Sequence, residues 1–210
     1  MSKSDSLLPP DALAGVRLSL SASESPDLLR LGLLETHFRL ALGEISRCVL
    51  VSGGHLAYGG HLQSEGYTAF LVRELERYNR RDRPMMVCLA WSEHRKLALS
   101  ALQTERTNLG LYGEIVCLDP DGNPVDPAAG RGEVPPTLVD EITRHRSLTG
   151  LRRHMTQNTQ GRVLIGGKRE GYQGDMPGVL EEALLSFQHR ISRRWVWWRH
   201  VGHWAQARYR

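Results

Sequence analysis

The chain has 210 residues, 40% hydrophobic and 24% charged, with 21 glycines, which fits one compact domain or two small ones and excludes collagen-like, coiled-coil and largely disordered chains. The longest uncharged apolar run, Met85 to Trp91, is far short of the roughly 20 residues that cross a bilayer, and no basic stretch leads into an apolar one at the amino terminus, so no membrane span or secretory signal is expected. The formal charge of +4 is unevenly placed: residues 191–210 hold five arginines and no acid, leaving residues 1–190 near neutral at about −1.

Residues 1–14, with Pro9-Pro10, read as a flexible leader to a body spanning 15–190. The alternation Val16-Arg17-Leu18-Ser19-Leu20 predicts a strand, followed by a polar loop, Ser21 to Asp27. From Leu33 to Leu50, Leu34, Phe38, Ala41, Leu42, Ile45 and Val49 recur at spacings of three and four, the period of an amphipathic helix. Gly53-Gly54 breaks it, and Leu56-Ala57-Tyr58 makes a short strand leading into the loop Gly59 to Gly66. Tyr67 to Asn79 reads as a helix, Met85 to Trp91 as a buried strand, Glu93 to Leu102 as a helix and Glu114 to Leu118 as another strand. Residues 119–136, with five prolines, form an irregular surface loop. Leu138 to Gln157 is helical with a break expected near Gly150, and Val163-Leu164-Ile165 is a strand ending in Gly166-Gly167-Lys168. A last helix starts at Pro177-Gly178, with Glu181 and Glu182 early in it, where the helix dipole favours negative charge. Strands alternating with helices predict an α/β domain with a mostly parallel sheet covered by helices on both faces.

In such a sheet, ligands bind beyond the carboxyl ends of the strands. Glycine turns stand there twice, at Gly59-Gly60 and Gly166-Gly167, and glycine lets backbone amides approach an anion closely. A tight turn with no ligand is the competing explanation. Neither the dinucleotide fingerprint nor the P-loop pattern is present. Ser23 and Ser25 can donate to a phosphate or ribose or serve the turn, and Lys168 and Arg169 can neutralise phosphate charge or simply face water. His55 and His61 flank the short second strand without a cysteine or third ligand nearby, so no metal site is expected, while His61 stays a pocket donor. The runs Arg144-His145-Arg146 and Arg152-Arg153-His154 can face phosphate too, but a charged outer helix face is the favoured reading. Cys48, Cys88 and Cys117 are spaced as neither a zinc site nor a disulfide framework, which suits buried thiols in a reducing cytoplasm.

Several of these segments together resemble the SLOG superfamily: Ser21 to Asp27 after the first strand, Ala57-Tyr58-Gly59-Gly60-His61-Leu62 with Gly66-Tyr67-Thr68, and Leu164 to Lys168 with Gly171 to Ala183. That superfamily joins DNA-processing Smf/DprA proteins, LOG-type nucleotide hydrolases and ligand-sensing domains of bacterial conflict systems, and the likeness is stronger to the sensor-type branch. The resemblance implies a Rossmann-like fold and a nucleotide-derived ligand such as an ADP-ribose relative, with no further cofactor. The ligand would be held by Ser23, Ser25, Gly59, Gly60, His61, Gly166, Gly167, Lys168, Pro177, Gly178, Glu181 and Glu182. It implies a cytoplasmic sensor in bacterial stress or antiphage response, with an effector protein or a second copy as partner. The alternative is a LOG-type nucleotide N-glycosidase, with Glu181 or Glu182 as the catalytic carboxylate. Pro177-Gly178 continues as Val179-Leu180, without the Gly-x-Gly-Thr of the hydrolases, which weighs against cleavage.

Residues 191–210, with Trp195, Trp197, Trp198 and Trp204, lack the period of a strand or helix where a doubly wound sheet calls for another strand. Tryptophan has one codon, and reading Trp195 to Arg199 one base later yields Gly-x-Gly-Gly whatever codons are used. A shifted reading frame that loses the last strand is one explanation. A genuine Arg/Trp interaction tail, seeking nucleic acid or membrane, is the other. The near-neutral body speaks against nucleic acid as the main partner.

Overall fold

The computed structural model describes residues 9–23, 25, 27–130, 139–168, 170–189, 197–200 and 203–204. What the sequence suggests for residues 1–8, Glu24, Pro26, 131–138, Arg169, Arg193, Arg194 and Trp195 lies outside them. In chain order the elements are β1 Arg17–Ser23, α1 Asp27–Arg30, α2 Glu35–Val51, β2 His55–Gly59, α3 Tyr67–Arg77, β3 Met85–Leu89, α4 Trp91–His94, α5 Leu99–Leu109 and β4 Gly113–Cys117. They continue with α6 Glu141–Gln157, β5 Gly161–Gly166, α7 Gly178–Gln188, β6 Trp197–His200 and β7 His203–Trp204.

Five strands form an all-parallel sheet in the order β4-β3-β2-β1-β5, and the fold is the Rossmann-like α/β arrangement that the sequence implied. The chain first steps from β1 outward through β2 and β3 to β4. Helix α6 then carries it back to β5, on the other side of β1. This reversal puts the switch point, where such sheets open a crevice, between the carboxyl ends of β1 and β5. The segment expected to lack a strand supplies one: the β6 backbone pairs in parallel with β5 from Val163–Trp197 to Ile165–Arg199, and β7 folds back antiparallel.

The two faces of the sheet are unlike. On one, α2, α3 and α5 bury Leu42, Leu50, Leu71, Leu75 and Leu102 against Leu20, Leu56, Tyr58, Met85, Val87 and Leu89 in a continuous apolar core. On the other, α6 packs Leu151 and Met155 on Ala57, Met86 and Cys88. Toward β1 and β5 that face turns polar, with Ser19, Ser21, Arg162, Glu181 and Ser186 all buried.

Several expectations change in detail. The helix read as one over 93–102 is two, α4 and α5, because His94 is fully buried, its ring nitrogen 3.0 Å from the Leu118 carbonyl and its ring edge-on to Trp91, which ends the first turn. Helix α6 runs unbroken through Gly150, which serves contact rather than a break: a Cβ there would lie 2.7 Å from the Gly122 nitrogen. The leader is tied down at its end, where the Leu13 amide donates to Ser52 O at 2.8 Å and its side chain packs on the core. Arg152 and His154, assigned above to an outer face, are buried, since α6 needs the Leu151/Met155 side inward and the neighbouring positions follow. Burial pushes the His154 pKa down.

Cys48 is exposed on α2, against the expectation of three buried thiols, while Cys88 and Cys117 are buried and burial pushes the Cys88 thiol up to about 12. Because the thiolate is the reactive form, a disulfide-exchange reagent is expected to titrate one thiol quickly in the native protein and the other two only on unfolding. Fast reaction of two or three would contradict this packing.

Candidate functional site

The switch-point residues are brought together by backbone. The Gly167 amide donates to the Ser23 carbonyl at 3.1 Å, locking the end of β5 to the end of β1. Gly166 and Gly167 both take positive φ, 72° and 120°, and a Cβ on Gly166 would strike the Ser23 carbonyl oxygen directly. Gly59 and Gly60 close the neighbouring strand β2. A Cβ at Gly59 would lie 2.6 Å from Met155 Sδ, and one at Gly60 2.5 Å from Tyr58 Cε1. These glycines therefore answer close approach by the protein itself, whatever binds beyond them.

His61 turns back to the start of α3. Its carbonyl accepts from Thr68 Oγ1 at 2.7 Å, its Nδ1 from the Gln63 amide at 3.4 Å, and its ring lies over Gly66, the residue preceding the helix. Ser25 is buried, and its carbonyl accepts from the Leu28 amide at 3.2 Å at the start of α1. Lys168 is exposed directly after the second glycine turn.

Helix α7 begins at Gly178 with Pro177 as its N-cap, a residue with no side-chain acceptor, so its first-turn amides carry no side-chain cap. Arg152, reaching over from α6 and only 8% exposed, lies against this start: a Cβ on Gly178 would meet its Nη2 at 2.6 Å. That nitrogen makes no hydrogen bond among the described residues. Its Nη1 donates to Glu181 Oε2, while Thr149 Oγ1 donates to Glu181 Oε1 at 2.6 Å. One turn deeper, Arg162 of β5 donates to Glu182 Oε2 at 2.6 Å, to Ser21 Oγ at 2.8 Å, and to Ser186 Oγ and Thr156 Oγ1 at 3.0 Å each. Two arginines and two glutamates thus join α6, α7, β1 and β5 beneath the switch point.

The sequence reading singled out Glu181 and Glu182, placed Arg152 in a run that could face phosphate or water, and missed Arg162. A mid-strand arginine in Gly161-Arg162-Val163-Leu164 was the available signal, because strand alternation puts Arg162 on the same face as buried Leu164. Separately, a cleft of about 460 Å³ lies along the outer side of α6, lined by Pro120, Asp121, Ile142, His145, Arg146, Thr149, Arg153 and Asp175. None of the predicted ligand residues lines it. Arg146 is paired with Asp121 at 2.6–2.7 Å, and His145 Nδ1 lies 3.3 Å from Asp175 Oδ1.

A family model described as SLOG cluster2 matches residues 12–191. No curated protein and no solved structure matches the chain.

Two substitutions test this geometry. Arg162→Ala takes the buried guanidinium away from the Glu182 carboxylate, itself only 16% exposed, and is expected to cost about 3 kcal/mol of stability, read by denaturant unfolding; a loss within about 1 kcal/mol, the range of a surface pair, would contradict the network. Gly166→Ala forces both a left-handed φ and a clash with backbone, so its melting temperature is expected to fall even without ligand. A Gly166→Ala protein as stable as the parent would mean the β1–β5 junction is looser than described.

Proposed function

This chain belongs to the SLOG cluster2 family, and on that premise we propose that it binds a nucleotide-derived small molecule at the carboxyl edge of the sheet as a sensor, without turning it over. The observation that carries the reading is the start of α7. Uncapped amides stand directly beyond a glycine turn at the switch point, with an arginine nitrogen free of described partners beside them. Amide dipoles and a guanidinium are the donors that phosphate oxygens require. Ser23 and Gly167 border the same place, and exposed Lys168 supplies a further cation at its rim.

Against catalysis stands the engagement of both candidate carboxylates. A glycosidase needs a carboxylate able to stabilise or deprotonate at the ribose carbon. Here Glu181 accepts from Arg152 and Thr149 on α6, and Glu182 from Arg162 on β5. Those bonds orient α7 on the sheet, a structural role that leaves the carboxylates little freedom to act on a ligand. The resemblance to sensor-type members extends the proposal to a bacterial stress or antiphage response in the cytoplasm, with occupancy passed to an effector protein.

Calorimetric titration with ADP-ribose and a panel of nucleoside mono- and diphosphates is expected to reveal a saturable ligand, with no free base released on incubation as followed by chromatography. Lys168→Ala is expected to weaken the tightest of them by about 3- to 10-fold, the value of one partly exposed charge-assisted contact. Base release that vanishes in Glu181→Gln would replace the sensor with an N-glycosidase. No binding across the panel would remove the nucleotide reading.

A further inference from the structure

The cleft of about 460 Å³ on the outer side of α6 has the volume of a small-molecule site, and its charges are sorted along its length. His145, Thr149 and Arg153 recur every fourth residue and form one row on α6. Asp121 flanks that row on the side of Arg146, and Asp175 on the side of His145. At one end of the row, Arg153 makes no hydrogen bond or ion pair among the described residues. At the other, Asp175 is 79% exposed and meets only His145, through Oδ1, while Glu141 Oε1 lies 3.7 Å from His145 Nε2. Between the two ends, Arg146 and Asp121 neutralise each other through two hydrogen bonds. Thr149 gives its hydroxyl proton to Glu181, which leaves its oxygen to the cleft only as an acceptor.

This order of charge selects the chemistry of an occupant. Two arginines and two aspartates line the cleft, so a polyphosphate would meet Asp121 and Asp175 as like charges, and a simple cation would meet Arg153. A molecule with a carboxylate at one end and an ammonium group at the other satisfies both ends. His145 and Arg153 stand eight positions apart, about 12 Å along the helix axis, and an extended chain of three residues spans about 10–11 Å. An α-amino group is largely protonated at neutral pH, a guanidinium fork matches a carboxylate, and a peptide N–H is a donor for the Thr149 oxygen. Exposed Ile142 and Pro120 offer apolar surface to a side chain. We propose that this cleft binds a zwitterionic peptide of about three residues, with its carboxylate on Arg153 and its amino group on Asp175. The site does not depend on a nucleotide at the sheet edge, because no residue assigned to that edge lines the cleft.

Calorimetry and amide-resolved NMR of the full chain, with alanyl-leucyl-alanine as the probe, test it. The expected result is saturable binding with a dissociation constant of about 1 mM or tighter, and shifts centred on the stretch from His145 to Arg153. Amidating the probe's carboxylate or acetylating its amine is expected to weaken binding about 3- to 10-fold, the value of one partly exposed charge-assisted contact. In Arg153→Gln the free and amidated probes are expected to bind alike, and in Asp175→Asn the free and acetylated probes, which ties each end of the probe to its residue. Both side chains are exposed, so neither change disturbs the core. ADP-ribose is expected not to displace the probe. Failure to saturate, capped probes that bind as tightly as the free one, shifts centred away from α6, or displacement by ADP-ribose would each overturn the assignment.

Discussion

Arg162 is a guanidinium 3% exposed in the middle of a parallel sheet, and the arrangement on that face follows from the need to satisfy it. Moving such a charge out of water is costly unless good geometry and hydrogen bonds compensate. Four acceptors surround it: Glu182 and Ser186 from α7, Ser21 from β1 and Thr156 from α6. They come from three separate elements, so this charge is satisfied only when α6 and α7 are both seated and β5 is in register beside β1. Apolar contacts alone tolerate sliding of one helix over another, whereas this set of bonds admits one placement.

Seating α7 in this way has two consequences. Its amino end is fixed beside the β1–β5 junction, where Gly167 is bonded to Ser23 and where Arg152 lies against Gly178. The edge at which a ligand would bind is therefore built before any ligand arrives, and preorganised donors lose little on binding. The second consequence is that α7 spends its polar residues inward. Leucine and phenylalanine are left outward, so the polar interior and the apolar exterior of this helix are one feature seen from two sides.

Much of the fold was legible because periodicity is set by the same contacts that fold the chain. The three-and-four spacing of Phe38, Leu42 and Val49 and the uninterrupted apolar run Met85 to Trp91 place α2 and β3 within a residue or two of their observed bounds. The polar half of the other face was not legible. Leu18-Ser19-Leu20-Ser21 announces a strand with one small polar side, yet the pattern is the same whether that side meets water or a buried cation. Arg152 and Arg162 carry no local mark of burial, since their partners lie 29 and 20 residues away. The glycine turns were found, but the sequence could not show that the Cβ direction at Gly59 and Gly166 is filled by Met155 and the Ser23 carbonyl. Gly150 suggested a helix break for the same reason, as its reason for being is a neighbour, the Gly122 turn, remote in sequence.

On the proposed reading, a nucleotide-derived ligand occupies the start of α7 together with the β1–β5 junction. Hydrogen exchange with and without ADP-ribose as the probe, resolved to single amides, tests it most directly. Added protection at Gly167, Gly178, Val179 and Leu180, with the sheet interior unchanged, is expected. Protection confined to the outer side of α6 around His145 and Arg153, with the α7 amides unaffected at saturation, would contradict it.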